Sequence, residues 1–211
     1  MKTTIKETEK KITYTYIENG SNTVCFMLSG SNYLYDKPLM YYSTMAMLEH
    51  QFDIVHVHYF YEQSIFEMDV SELSELIIED VDSVVDEVLA MKNYEGMIFL
   101  GKSLGTIPIS FKYATNRTPN TKLVLFTPLL ELKGLYEHFM QSSNEILLVI
   151  GTKDPHYMPS KIKEIKEKST ITFIEIEHGK HSLDIEPINT IESLNAMLKI
   201  SEALHRFIAH V

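Results

Sequence analysis

Six short apolar runs, separated by stretches of helical periodicity, set the strongest limit on what this chain can fold into. They are Thr23 to Leu28, Ile54 to Phe60, Met97 to Leu100, Leu123 to Phe126, Ile146 to Ile150 and Ile171 to Ile176. Runs this short and this apolar fit strands buried on both faces. Between the second and third, Leu73, Leu76, Ile77, Val81, Val84, Val85, Val88 and Leu89 recur at three- and four-residue spacing, with Glu72, Glu75, Glu79, Asp82, Asp86 and Glu87 on the opposite face. That is an amphipathic helix, opened by an Asp69 to Glu72 capping box. A last helix, behind Asn189 and Glu192, packs back on the sheet through Ile191, Leu194, Met197, Leu198, Leu204 and Ile208. Strand alternating with helix predicts an α/β fold, a three-layer αβα sandwich around a mostly parallel sheet. Ile12 to Ile17 alternates apolar residues with threonine and reads as an N-terminal strand, paired with Thr3 to Lys6 and ending at the turn Asn19-Gly20.

The chain has 211 residues, enough for one full core, and no repeat or Pro/Gly/Ser-rich linker divides it, so residues 1–211 are expected to form a single domain. Its formal net charge of -10 repels phosphate backbones and anionic headgroups, which argues against nucleic acid or membrane as partner. Met1 to Lys11 is polar, and no run approaches the roughly 18 apolar residues of a membrane span, so a cytoplasmic location is expected. The lone cysteine, Cys25, lies inside an apolar run and reads as a small buried hydrophobe.

Residues 96 to 105, Gly-Met-Ile-Phe-Leu-Gly-Lys-Ser-Leu-Gly, satisfy two motifs that need incompatible backbones. From Gly96 the segment is G-x-x-x-x-G-K-S, a phosphate-cradling P-loop. From Gly101 it is G-x-S-x-G, a nucleophile elbow that exposes a reactive serine. A P-loop needs its first glycine after a strand and free amides between the glycines. Here the residues before Gly96 are the polar end of a helix, and Met97 to Leu100 is apolar and belongs in the sheet, where its amides are consumed. The run Leu123 to Phe126 ends in Thr127-Pro128, with no carboxylate for magnesium, and Asp154 arrives one residue too early in Thr152-Lys153-Asp154 for guanine recognition. The elbow needs strand, sharp turn and helix in that order, and Met97 to Leu100, Ser103 and the stretch through Ile107, Ile109, Phe111 and Tyr113 supply them. Gly101 and Gly105 bracket the serine where strand and helix approach too closely for side chains. Pro108, just past the first turn, predicts a slight kink. On this reading Gly96 merely begins a strand and Lys102 is the variable residue of the elbow.

A nucleophilic serine needs a base and an orienting acid, and after an elbow they follow in the order Ser, Asp/Glu, His at the ends of later strands. Asp154 follows Ile146 to Ile150 in a tight Gly151 turn, and His181 follows Ile171 to Ile176. Glu131 is a rival acid, placed by the sequence inside a helix after Pro128; His178 and His156 are rival bases. His56 and His58 share one strand face without a further ligand cluster, so no metal site is expected.

Gly101-Lys-Ser-Leu-Gly105, Gly151-Thr-Lys-Asp154 and Gly179-Lys-His-Ser-Leu183, with an early strand ending at Ser29-Gly30-Ser31, resemble the α/β-hydrolases over nearly the whole chain, in particular the small members of the dienelactone-hydrolase-like branch. The resemblance implies a serine hydrolase acting on an ester or thioester, with Ser103, Asp154 and His181 as triad and no cofactor. It implies an oxyanion hole from the N–H of Leu104 and of Ser31, or of its neighbour Gly30. Many members carry His-Gly where this chain has Ser29-Gly30, and dienelactone hydrolases use cysteine where it has Ser103, so their substrate does not carry over. The same triad serves peptidases and amidases, and some proteins of this fold are binding modules. Tyr33 is a candidate pocket residue. Only the helix-sized segment Leu129 to Ser142 stands where a cap domain is often inserted, so the site is expected to be open, without a cap, and suited to a small acyl substrate.

Overall fold

A computed structural model describes residues 1–115, 120–209 and 211. Eight strands form one sheet: β1 (Lys2–Glu7), β2 (Thr13–Glu18), β3 (Thr23–Leu28), β4 (Asp53–His58), β5 (Gly96–Lys102), β6 (Thr121–Phe126), β7 (Glu145–Gly151) and β8 (Ile171–Ile176), in the order β1-β2-β4-β3-β5-β6-β7-β8. The strands from β4 through β8 across the sheet are parallel, and the N-terminal hairpin adds β1 and β2 antiparallel at one edge. The expected pairing of the first two strands is present, with Thr3 opposite Ile17 and Lys6 opposite Tyr14. The Asn19-Gly20 turn is held from inside: the N–H groups of Asn19, Gly20 and Ser21 donate to one carboxylate oxygen of buried Asp53 at 2.7, 2.9 and 3.1 Å.

The central strands are buried on both faces because their residues alternate between two cores. Val24, Phe26 and Phe99 enter one core with Leu73, Ile77 and Val81 of α2 (Val70–Met91), Ile107 and Ile109, and Ile162 and Ile165 of α5 (Pro159–Glu167). Cys25, Met27, Ile98 and Leu100 enter the other with Leu39, Met40 and Met47 of α1 (Pro38–Glu49) and Ile200, Leu204 and Ile208 of α6 (Thr190–Ile208). Each such fully buried aliphatic contributes about 1.5 to 3 kcal/mol. This is the three-layer sandwich the alternation of elements predicts.

Local expectations meet several corrections. Asp69 caps α2, but its carboxylate accepts from Ser71 N–H at 2.9 Å rather than from Glu72. The strand expected to reach Phe60 ends at His58; Tyr59 turns inward to donate to the Ser29 carbonyl at 2.5 Å, and Phe60 stands in solvent. In α6, capped by Asn189 through Glu192 N–H, the buried stripe runs through Ala196, Ile200, Ala203, Leu204 and Phe207, while Ile191, Leu194 and Leu198 are exposed. The small alanines let that face approach the sheet, which a search for large apolar residues passes over. Pro108 does more than kink its helix. α3 (Thr106–Pro108) widens into a π-helical stretch, Ile109–Tyr113, in which Ala114 N–H reaches the Ile109 carbonyl at 2.7 Å. The proline supplies no N–H to the α-helical ladder, and a wider turn follows it. Between β6 and β7 only α4 (Leu135–Met140) is helical; Glu131, expected inside a helix, sits in the turn before it.

Candidate active site

β5 runs two residues past its apolar run, Gly101 pairing with Leu125 and Lys102 with Phe126, and then breaks sharply. Ser103 takes φ of 52°, a left-handed conformation costly for a side chain with a Cβ, and opens a tight 3₁₀ turn, Ser103–Gly105. The flanking glycines are required by contact. A Cβ on Gly101 would overlap the Gly105 carbonyl, and one on Gly105 would overlap the Leu28 carbonyl of β3. The turn is tightened by Thr106, whose hydroxyl donates to the Ser103 carbonyl at 2.6 Å.

Asp154 and His181 come from the next two strand ends. Asp154 N–H closes a turn onto the Gly151 carbonyl at 3.1 Å, and Lys153 N–H donates to the Gly179 carbonyl at 2.9 Å, so the two loops share backbone bonds. Beyond Gly179 the chain doubles back through an Lys180–Asp184 bond and a Gly179–Ile185 bridge, with buried Leu183 as its anchor and His181 at the bend. His181 Nε2 lies 2.9 Å from Ser103 Oγ, and His181 Nδ1 lies 2.8 Å from Asp154 Oδ2. The other Asp154 oxygen accepts from His156 N–H at 2.9 Å. The Asp154 carboxylate is fully buried, whereas a third of the His181 side chain is exposed, so the array opens to solvent at the imidazole. Three of the sequence-predicted residues are thus brought into one hydrogen-bonded line.

The rivals fall elsewhere. His178 is exposed beside Glu177, and its backbone N–H is held by Thr152. His156 stands beside the array, its ring 5.3 Å from that of His181, with Nδ1 3.8 Å from Glu131. Burial holds the His156 imidazole below its usual range, with the neighbouring His181 and Lys102 acting in the same direction against Asp154 and Glu131. Among the described residues, Asp154, His156 and His181 offer donor atoms within 4.8 Å of one another, the set best able to hold a metal; Asp154 and His181 are already bonded to each other. His56 is a packing residue that stacks on Tyr35 at 4.0 Å and bonds Thr44, and burial pushes its imidazole down to about 4, whereas His58 is exposed at the strand end. His58 bonds Thr15. Cys25 is fully buried and its thiol is pushed well up by desolvation.

The loop after β3 folds over the elbow. Gly30 is close enough to Ser103 that a Cβ on it would meet the serine Cβ at 3.5 Å, and a Gly30–Tyr33 bridge leaves Ser31 exposed in the turn. Leu104 is buried in the 3₁₀ turn immediately after the serine. Tyr33 is at the site, but its hydroxyl accepts from Leu39 N–H at 3.2 Å and its ring lies 4.9 Å from Lys102 Nζ. Lys102 itself is the residue that motif reading underrated. It is 1% exposed and donates to Thr127 Oγ1 and the His181 carbonyl, both at 3.1 Å. Its signal in the sequence is a cation directly behind a buried apolar run and between the two glycines of a tight turn, a place with no water to receive it.

No protein-family model matches the sequence, and no curated protein matches it. Solved structures do match in shape. Est1E from Butyrivibrio proteoclasticus is similar with a TM-score of 0.73 at 11% identity, over 99% of this chain and 98% of that one. A serine hydrolase without a lid from Xanthomonas campestris is similar at 0.70 and 10%, covering 99% and 93%. An esterase of Pyrococcus furiosus is similar at 0.68 and 13%, covering 98% and 92%. No helix among the described residues is long and apolar enough to cross a membrane. With the sheet order, the sharp turn after β5 and the short β6–β7 connection, the chain has the α/β-hydrolase fold without a cap domain.

Proposed function

We propose that this protein is a serine hydrolase that cleaves an ester or thioester of a small acyl group through an acyl-enzyme intermediate. The observation that carries the reading is the continuous bonded line from Ser103 Oγ to His181 Nε2 and from His181 Nδ1 to Asp154. Ser103 attacks the acyl carbon as His181 takes its proton; the leaving group departs with that proton, and water, activated by the same imidazole, releases the acid. Asp154 keeps Nδ1 protonated, so that Nε2 presents its lone pair to the serine, and its charge offsets the imidazolium that forms. The oxyanion is assigned to the N–H of Leu104 and of Ser31, the second carried by the loop that covers the elbow; losing one such donor costs about 3 to 4 kcal/mol of barrier. The names of the similar structures support an ester substrate, and Est1E is also known with ferulic acid bound.

Treatment with a fluorophosphonate probe, with the adduct mapped by mass spectrometry, tests the nucleophile. Wild type is expected to label at Ser103 and Ser103→Ala to stay unlabelled; labelling that survives the substitution sinks the assignment. A series of nitrophenyl esters and matching anilides then separates esterase from amidase, and turnover of the amides alone would overturn the substrate class.

A further inference from the structure

We propose that Lys102 is a positioning residue for the Ser103–His181–Asp154 array, its buried ammonium tying together the loops that carry the site, so that the array works while that ammonium keeps its proton. The inference rests on the serine-hydrolase reading above.

Three partners surround Nζ, and each belongs to a different strand end. Thr127 follows β6 in a left-handed conformation, with φ of 47°. His181 follows β8 and is held by its own backbone carbonyl, so the bond sets where the imidazole starts from. Tyr33 follows β3, in the loop that covers the elbow, and presents its ring face at 4.9 Å. Lys102 immediately precedes Ser103 and therefore links the base's loop and the oxyanion loop to the nucleophile's own strand. An ammonium has three N–H groups for these three partners. A neutral amine has two and no charge to hold the ring face.

The groups facing Nζ set when that change occurs. Asp154 attracts the charge; His156 and His181 lie nearby, and the Tyr33 phenol is below Nζ. Burial outweighs the Asp154 attraction and pushes the Lys102 amine down to about 8, far below the usual lysine range. Activity should therefore fall as pH rises through about 8. Stability should move the other way. The unfolded chain holds this proton more tightly than the folded one, so between about 8 and the ordinary lysine value near 10.5 the Lys102 contribution to folding rises with pH. A lysine that only filled space would not lower activity in the window where it makes the fold more stable.

The test needs no known substrate: the rate of fluorophosphonate labelling at Ser103 is measured from about pH 6 to about pH 10, alongside thermal melting. Wild type is expected to lose labelling rate about tenfold per pH unit above the Lys102 transition, until it meets the level of Lys102→Met. Lys102→Met is expected to be slower at neutral pH and flat in the alkaline range. Lys102→Arg, charged throughout, is expected to lack the alkaline fall. A wild-type rate that stays level through pH 10, or an equal alkaline fall in Lys102→Met, overturns the inference. A level wild-type profile overturns the inference even where a variant melts below the assay temperature, and Lys102→Arg serves where Lys102→Met does not fold. Labelling at Ser103 with a level profile defeats the role of Lys102 alone; no labelling of folded wild type defeats the serine-hydrolase reading and this inference with it.

Discussion

The backbone of Gly151 lies so close to that of Gly179 that a single methyl on the first would overlap the carbonyl oxygen of the second. The turn that carries Asp154 and the loop that carries His181 are therefore seated directly on one another. Gly151→Ala is expected to force them apart, costing about 1 to 3 kcal/mol of stability as an overpacked site. A displacement of about 1 Å between His181 and its partners costs roughly 100-fold in rate. Thermal melting and kcat/KM on a nitrophenyl ester check both. Activity equal to wild type would show that the loops need not touch.

Asp154→Asn keeps the shape of the acid but lets Nδ1 lose its proton, presenting a donor instead of a lone pair to Ser103. The expected loss is on the order of 10⁴ in kcat, with little change in KM. Adding His181→Ala to Asp154→Asn should cost far less than the product of the two separate effects, because the residues act as a unit. Steady-state kinetics of the three variants measure this, and multiplicative losses would contradict a coupled array.

At the opposite end of the sheet, Asp53 is fully buried and accepts from Lys92, Tyr94 and three backbone N–H groups. Burial works against its charge, yet these donors hold the carboxyl below the usual range. With the folded value depressed, its stabilisation is present above the unfolded value, near 4, and is lost as pH falls through the folded one. Asp53→Asn should cost about 2 to 3 kcal/mol at neutral pH and remove that part of the acid dependence. Urea unfolding at pH 7 and below pH 4 reads both effects; an unchanged midpoint at neutral pH would contradict them.

Cys25, the only cysteine, is buried in mid-sheet, and desolvation disfavours its thiolate. The folded protein should resist a thiol reagent until it is denatured, and alkylating agents should leave ester turnover intact. Rapid reaction of the folded protein, or inactivation by iodoacetamide, would contradict this.

The residues that reach the site were legible where the signal was local. The Met97 to Leu100 run, the bracketing glycines and the order Ser, Asp, His all lie in short stretches, and strand, turn and loop chemistry depends on near neighbours. The stripes of α2 and the two-faced burial of the central strands were legible for the same reason. Where packing chose among several apolar residues the reading slipped: α6 buries Ala196 and Ala203 and leaves Leu194 and Leu198 outside. The stretch around Glu131 also lacks the expected helix, and the acid ends beside His156 rather than His181.

The sequence by itself determined which segments are strands, which face of α2 is buried, and that Ser103 sits on an elbow, since each follows from patterns a few residues long. Only the tertiary structure decided that β3 lies between β4 and β5, that the loops after β7 and β8 interlock through Gly151 and Gly179, and that Lys102 is enclosed by Tyr33, Thr127 and His181. Those relations join residues far apart in the chain, and their energies come from contact and desolvation, which exist only once the sheet has closed its loops over the site.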